Sequence, residues 1–315
     1  MMLCMALTNR CSLECTSCLN ASSPRGEYGL PTQQLMGVLE WLAEQEAPQV
    51  DFSGGEPFVR HDIRDLIRHA VQCGITVNAC TNGCSVREED LILLAEMRRV
   101  TITFYGPERF HDAVTRVRGS YRNTIRTASA LRGSKARLRA NVVTLAGALD
   151  DLPALAYELQ EAGLDEIKFS MMLPLGRATA LTSQLIDKHE SERLRQSILT
   201  RDDLHVPVLM QGFGPTPFVC QIPEREGLFL THDGRIYPCP LFRHRMSSIR
   251  ANFEIGRITG ARSAYDALEQ MAWDRALDCV AQAGRNKCPA VDLGLFGDVR
   301  DAIIHQGCPP LVEKT

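Results

Sequence analysis

No stretch of this 315-residue chain is apolar for long enough to span a bilayer, which takes about 20 residues of helix. An export signal is missing too. The apolar run from Met1 to Leu7 is short, has no basic stretch ahead of it and leads directly into Asn9, Arg10 and Cys11. Neither sign of charge is in excess: a net charge of −3 gives no electrostatic footprint for nucleic acid or an anionic membrane. Low-complexity linkers and internal repeats are also absent, and the length suits one large core or one core plus a smaller lobe. What the chain does have is 12 cysteines. With no export signal the expected compartment is the reducing cytoplasm, and a chain of this size is not a small disulfide scaffold. The thiols are therefore read first as metal or cluster ligands.

The first two-thirds alternates strand-like runs with amphipathic helix patterns. Leu35, Val38, Leu39 and Leu42 fall at i, i+3, i+4 and i+7, the single apolar stripe of a sheet-covering helix. Ile63, Leu66, Ile67 and Ala70 repeat that spacing, as do Leu152, Leu155, Ala156 and Leu159. Between them lie β-like runs over Met2–Thr8, Gln49–Ser53, Ile75–Cys80, Val100–Phe104, Leu138–Thr144 and Glu166–Ser170. Strand and helix repeated about six times predict an α/β fold, a partial (β/α)6 TIM-like barrel with its chemistry at the strand C-terminal ends. After Ser170 prolines break the rhythm, leaving a helix around Lys188–Leu199 and a hairpin of Gly227–Leu230 and Arg235–Tyr237 around a turn at His232, Asp233 and Gly234. The expected boundary lies near residue 205, dividing a core (1–205) from a small β-hairpin/α domain (206–315).

Cys11, Cys15 and Cys18 follow directly on the first predicted strand. Three thiolates in one short loop hold three corners of a compact site and leave a fourth open. A structural zinc site wants four closed ligands, whereas an iron–sulfur cluster with three protein thiolates keeps one iron free for a small ligand. A zinc knuckle is the blander alternative. At the end of the second predicted strand stand Gly54, Gly55, Glu56 and Pro57. Two glycines let the backbone approach a ligand closely, and Glu56 offers an acceptor for an ammonium group.

Cys11-x3-Cys15-x2-Cys18 together with Gly54-Gly55-Glu56-Pro57 resembles the radical S-adenosylmethionine (radical SAM) superfamily. Supporting matches are Thr81-Asn82-Gly83, the stretch from Thr101 to Pro107, His111-Asp112, Gly119-Ser120-Tyr121 and the segment from Pro174 to Ala178. The resemblance implies that the three cysteines hold a [4Fe-4S] cluster whose open iron chelates the amino and carboxylate groups of SAM. It further implies that Gly54, Gly55, Glu56 and Pro57 contact the methionine amino group, and that Asn82 and Arg177 belong to the cofactor site.

Cys220, the hairpin Gly234 and Cys239 are spaced as in members with a SPASM or twitch extension, where such a pair helps bind an auxiliary [4Fe-4S] cluster. Cys279 and Cys288 match two further SPASM positions and Cys308 the last, while Gln282 and Asp292 stand where that pattern has cysteines. Five thiols cannot build two all-cysteine clusters, so one auxiliary cluster on Cys220, Cys239, Cys279 and Cys288 is expected. Cys308 is the alternative fourth ligand or a spare thiol available to catalysis. Cys84, just after a strand end, reads as a loop cysteine or, more sharply, as a hydrogen-atom donor beside the substrate. Cys4, Cys73 and Cys80 read as packing residues, and His61 and His111 as surface or capping residues.

The family chemistry so implied is reductive cleavage of SAM to a 5′-deoxyadenosyl radical, which takes a hydrogen atom from a substrate carbon. The outcome is epimerisation, or oxidation by dehydrogenation or cross-linking, of a sugar-derived (aminoglycoside-like) natural product or a ribosomal peptide. An external flavodoxin- or ferredoxin-like protein would supply electrons. The cluster motif starts at residue 11, which leaves no room ahead of it for a leader-recognition domain and counts against a peptide. The reading from a different class is a non-catalytic zinc or iron–sulfur scaffold, or an electron-transfer protein.

Overall fold

A computed structural model describes residues 1–211, 225, 227–239, 254–259, 264–274 and 277. It is α/β with a largely parallel sheet, as expected for a partial barrel, and carries an antiparallel hairpin near its C-terminal end. The strands are β1 (Met2–Ala6), β2 (Gln49–Ser53), β3 (Thr76–Thr81), β4 (Arg99–Phe104), β5 (Arg137–Thr144), β6 (Glu166–Met171), β7 (Val208–Gln211), β8 (Gly227–Leu230), β9 (Arg235–Tyr237) and β10 (Gly256–Arg257). The helices are α1 (Thr32–Ala43), α2 (Ile63–Gln72), α3 (Glu88–Leu94), α4 (Glu108–Thr115), α5 (Ser120–Ala130), α6 (Leu152–Glu161), α7 (Lys188–Leu199) and α8 (Ala264–Glu269). No described helix is long and apolar enough to cross a membrane.

The chain divides into two compact units: 1–9, 27–77 and 217–315 form one, while 10–26 and 78–216 form the other. In the first unit the strand order is β10-β9-β8-β1-β2. The predicted hairpin forms as β8 and β9, but β8 also pairs in parallel with β1, Met2 opposite Gly227, so it extends the sheet rather than standing apart from it. On the other side of β1, β2 runs parallel with Ala6 opposite Ser53. The two strands thus end level, and the Cys11–Cys18 segment and the Gly54–Pro57 turn follow directly on those ends in the sequence. The apolar stripe of α1 is buried as its spacing requires, and the helix packs against α2 and α8, with Trp41 Nε1 donating to Glu269 Oε1 at 2.7 Å.

In the second unit the order is β3-β4-β5-β6-β7, all parallel. The strand period of two sorts the side chains cleanly. Val100, Ile102, Phe104, Leu138, Ala140, Val142, Ile167 and Phe169 are fully buried, each large one contributing roughly 1.5–3 kcal/mol of burial. The opposite face carries partly exposed Thr101, Thr103, Asn141, Lys168 and Ser170, with Ser170 Oγ donating to Asn141 Oδ1 at 2.8 Å. One face is therefore core, and the other is available for polar recognition.

Candidate functional site

The cysteine loop is built from backbone outward. The Cys11 amide donates to the Ser23 carbonyl at 3.0 Å, closing the loop at its base, and the Cys18 amide turns back onto the Cys15 carbonyl at 3.2 Å. Its outer side is pinned to α4, where Thr16 N donates to Val114 O at 2.8 Å and Glu14 N to Thr115 O at 3.3 Å. Leu13 and Val114 are buried together with Cys11 and Cys15 in one small core, against which Cys18, Cys84, Tyr105, Phe110 and Val117 pack.

Two of the three sulfurs accept hydrogen bonds of clear geometry: Leu13 N and Asn82 Nδ2 each donate to Cys11 Sγ at 3.4 Å, and Ser22 N donates to Cys18 Sγ at 3.4 Å. Tyr105 packs against the small core that holds Cys15. Donors aimed at sulfur suit thiolates, since they disperse charge that a neutral thiol does not carry. Burial pushes the Cys15 thiol up to about 11, so a bound metal has to displace the proton. Burial also pushes the Tyr105 hydroxyl well above its usual range, with the thiols of Cys15 and Cys18 adding to it, which keeps the phenol a donor. Three thiols brought to one small core suit a cluster whose irons each take a separate thiolate.

Asn82 is held on both sides. Its Oδ1 accepts the Cys84 amide at 2.8 Å, which turns its Nδ2 toward Cys11. The turn it sits on is fixed by α5, where Thr124 Oγ1 donates to Asn82 O and Thr127 Oγ1 to Gly83 O, each at 2.7 Å. Asp112 in turn fixes α5. One carboxylate oxygen accepts Tyr121 N and Ser120 Oγ, both at 2.9 Å, and the other accepts Gly119 N at 2.5 Å. Burial alone would raise that carboxyl, but these bonds hold it below the usual range. This cap explains physically why His111-Asp112 and Gly119-Ser120-Tyr121 occur together.

Arg177 lies against the cysteine loop. Its amide donates to Cys18 O at 3.0 Å, Nε to Cys15 O at 2.8 Å and a terminal nitrogen to Ser22 O at 2.7 Å. Gly176 beside it has φ +57, and a Cβ there would lie 2.3 Å from Leu19 O, so only glycine lets the two backbones approach. Cys84 packs against the loop core, with its thiol donating to Ser120 O at 3.5 Å.

In the other unit, Gly54 has φ +134 and a Cβ there would sit 2.5 Å from Thr8 O, while Gly55 N donates to that same carbonyl at 2.7 Å. Glu56 is fully buried, and its Oε1 accepts Phe58 N at 3.1 Å, capping the short turn that begins at Pro57. Arg60 underpins this turn by donating to Leu7 O and Tyr28 O at 3.0 Å and to Leu30 O at 3.2 Å, and by pairing with Asp62 at 2.6 Å. No periodicity marks Arg60, because besides the nearby Asp62 its partners are backbone carbonyls brought in from other elements.

Cys239, just after β9, is buried. Cys220, Cys279, Cys288 and Cys308 lie outside the described residues. Cys4 and Cys80 are partly buried on strands, as packing residues would be. His111 differs from its expected surface role. It is 1% exposed, boxed by the rings of Phe104, Tyr105 and Tyr121, because α4 turns it inward.

Residues 5–151 match the family model of the Radical SAM superfamily. The PqqA peptide cyclase of Bradyrhizobium diazoefficiens is 33% identical over 286 residues, covering 85% of this chain and 75% of that one. The PqqA peptide cyclase of Rhodopseudomonas palustris is 39% identical over 107 residues, which span 33% of this chain and only 28% of the relative. Among solved structures, Streptococcus suis SuiB bound to S-adenosylmethionine superposes with a TM-score of 0.69 at 14% identity, covering 99% of this chain and 77% of SuiB. SuiB bound to its precursor peptide SuiA gives 0.68 at the same identity, covering 99% of this chain and 76% of SuiB. The SuiB likeness establishes the fold, partial barrel and C-terminal hairpin included.

Proposed function

Because the chain belongs to the radical SAM superfamily, we propose that Cys11, Cys15 and Cys18 hold a [4Fe-4S] cluster that binds SAM, and that the protein oxidatively modifies a peptide. The observation that supports the cluster assignment is the loop itself: Cys11 and Cys15 share one small core with Cys18 packed against it, and this chain's own N–H groups donate to the sulfurs of Cys11 and Cys18. When bound, such a cluster supplies the electron that cleaves SAM to the 5′-deoxyadenosyl radical. The chain's role is to hold the loop rigid through Arg177 and α4, and to present the Gly54-Gly55-Glu56-Pro57 turn. There the close backbone approach and the buried carboxylate of Glu56 suit a methionine amino group.

Peptide modification is favoured by the relatives, one of which is named as a peptide cyclase while SuiB is described with a precursor peptide. Cross-linking, a two-electron oxidation, is preferred over epimerisation on the same ground. We assign residues 206–315 to an auxiliary-cluster domain with Cys220, Cys239, Cys279 and Cys288 as ligands and Cys308 as the alternative fourth. An external flavodoxin- or ferredoxin-like protein is the proposed electron source. Cys84, with its thiol turned onto the Ser120 carbonyl, is read as packing.

Anaerobically reconstituted protein with a low-potential reductant should convert SAM to 5′-deoxyadenosine, and Cys15→Ala should abolish this. Full turnover in that variant would sink the assignment. Iron and sulfide analysis should give about eight of each with the auxiliary cluster and about four without it. With a candidate peptide in D₂O, a cross-link leaves product two hydrogens lighter and unlabelled. One incorporated solvent deuteron would instead mean epimerisation.

A further inference from the structure

We propose that the exposed arginine face of α4 and α5, formed by Arg109, Arg116, Arg118 and Arg126, docks an acidic one-electron carrier protein beside the cysteine loop. This deepens the proposed function, on which it rests, by giving the external electron source a place to bind. Residues 108–130 hold five arginines and only two acids, Glu108 and Asp112, in a chain whose net charge is −3. Both acids are engaged. Glu108 pairs with Arg122 at 2.8 Å, and Asp112 is turned onto the start of α5, where it accepts Gly119 N, Tyr121 N and Ser120 Oγ. Arg109, Arg116, Arg118 and Arg126 are exposed, and none of them has an ion pair among the described residues.

Helix stability does not call for this arrangement. Arg118, Arg122 and Arg126 recur every fourth residue, a spacing at which like charges on a helix repel. Arg118 and Arg122 also sit at the N-terminal end of α5, where the helix dipole disfavours a cation. Arg116 ends α4 at φ 61, a left-handed position that glycine usually takes. The location points to the occupant. Glu14 N and Thr16 N, the amides on either side of Cys15, donate to Thr115 O and Val114 O, the last carbonyls of α4, and Arg116 is the next residue. Substrate has to reach the iron left open for SAM, whereas this face abuts backbone that carries a ligating sulfur, which suits electron entry. One electron passes from the reduced carrier to the cluster; no bond forms or breaks, and the carrier is left oxidised by one electron. Complementary charge speeds such an encounter, and added salt screens it.

The test measures 5′-deoxyadenosine formation by the full, anaerobically reconstituted protein. It is run with a limiting, reduced acidic flavodoxin and separately with reduced methyl viologen, a small cation that needs no docking face. Reversing three charges together, Arg109→Glu, Arg118→Glu and Arg126→Glu, should cut the flavodoxin-supported rate by about tenfold or more at low salt. The fall of that rate with added salt, expected in wild type, should vanish, and the methyl viologen rate should stay as it is. Arg116→Gly removes one charge and relieves the left-handed backbone, so its melting temperature should hold or rise while the flavodoxin rate falls severalfold. A flavodoxin rate that matches wild type and keeps its salt dependence overturns the proposal. Equal loss with both reductants, the mark of a structural role, overturns it too, as does weaker binding of a candidate peptide with the flavodoxin rate intact. Should the triple variant take up no iron, Arg116→Gly decides alone: a lowered flavodoxin rate with the methyl viologen rate kept sustains the proposal, and an unmoved one overturns it. A wild type that cleaves SAM with methyl viologen but not with the flavodoxin overturns the docking face alone. One that cleaves SAM with neither overturns the proposed function itself, and this inference with it.

Discussion

The guanidinium of Arg177 reaches the carbonyl of Cys15 at 2.8 Å, across 162 positions of sequence. With the bond to Ser22 O, and its own amide on Cys18 O, it ties the cysteine loop at three carbonyls. Lysine cannot reproduce a planar fork that serves two acceptors at once. Arg177→Lys should therefore loosen the loop by about 1.5–3 kcal/mol for each charge-assisted bond lost. The measurement is iron release to a chelator, expected to be severalfold faster than wild type. Unchanged release would show that the loop holds its shape without the clamp.

Two left-handed glycines make a matched pair for testing the turn after β2. A Cβ at Gly54 would meet Thr8 O at 2.5 Å, whereas one at Gly74, φ +75, would meet nothing within 4 Å. Both alanine variants incur the left-handed strain, about 1 kcal/mol, but only Gly54→Ala must also push neighbouring backbones apart. Chemical denaturation should show the larger loss in Gly54→Ala, and SAM binding by isothermal titration should weaken in that variant alone. Equal behaviour of the two variants would remove the argument for close approach.

Arg60 and Asp62 form a buried pair, 2% and 4% exposed. Burial by itself would raise the Asp62 carboxyl. Hydrogen bonds from Arg60 and Thr32, and the Arg60 charge, outweigh it and hold the carboxyl below its usual range. For a depressed acid the unfolded chain takes up the proton first as pH falls. The pair's contribution is therefore complete above the unfolded value of about 3.9 and is lost as pH drops through the folded value. Asp62→Asn leaves the guanidinium buried without its counter-charge and should cost about 3–5 kcal/mol at neutral pH. In urea titrations the gap between wild type and variant should close on acidification below about pH 4. A gap independent of pH would count against the pairing.

Where an element buries an apolar stripe, its sequence announced it. Leu35, Val38, Leu39 and Leu42 are buried along α1, and the expected helix Lys188–Leu199 and hairpin strands Gly227–Leu230 and Arg235–Tyr237 form with those bounds. α5 left no such mark, because its buried face is Ser120, Tyr121, Thr124, Thr127 and Ala128, of which Thr124 and Thr127 donate to the Asn82 turn and Ser120 to Asp112, so hydroxyls stand where an apolar stripe would. In the site, the cysteines and the glycine turn were legible because their chemistry demands particular residue types at short spacing. What holds them was not. Arg177 and Arg60 bind backbone carbonyls, which every residue has, so no pattern of side chains betrays the partner. Strand β7 was missed because its four residues, Val208–Gln211, follow directly on the prolines' broken rhythm.

His111 shows what burial does to a residue usually read as polar. Neither ring nitrogen has a hydrogen-bond partner among the described residues, and the neighbouring rings are aromatic. Burial lowers its pKa to about 4, against a small opposing pull from Asp112. For a base depressed in this way, the unfolded chain binds the proton first, near pH 6.5, and the folded chain only near 4. Stability is full above the upper value and falls through that window on acidification, by about 3 kcal/mol. His111→Phe fills the same aromatic box with nothing to protonate and no buried nitrogen left unbonded. Its unfolding free energy relative to wild type should therefore rise steadily between pH 6.5 and 4, since wild type alone loses stability there. The comparison needs only urea titrations of the two proteins at several pH values, because every other titrating group is common to both. A difference that stays flat across the window would mean that His111 is already charged, or solvated, in the folded chain.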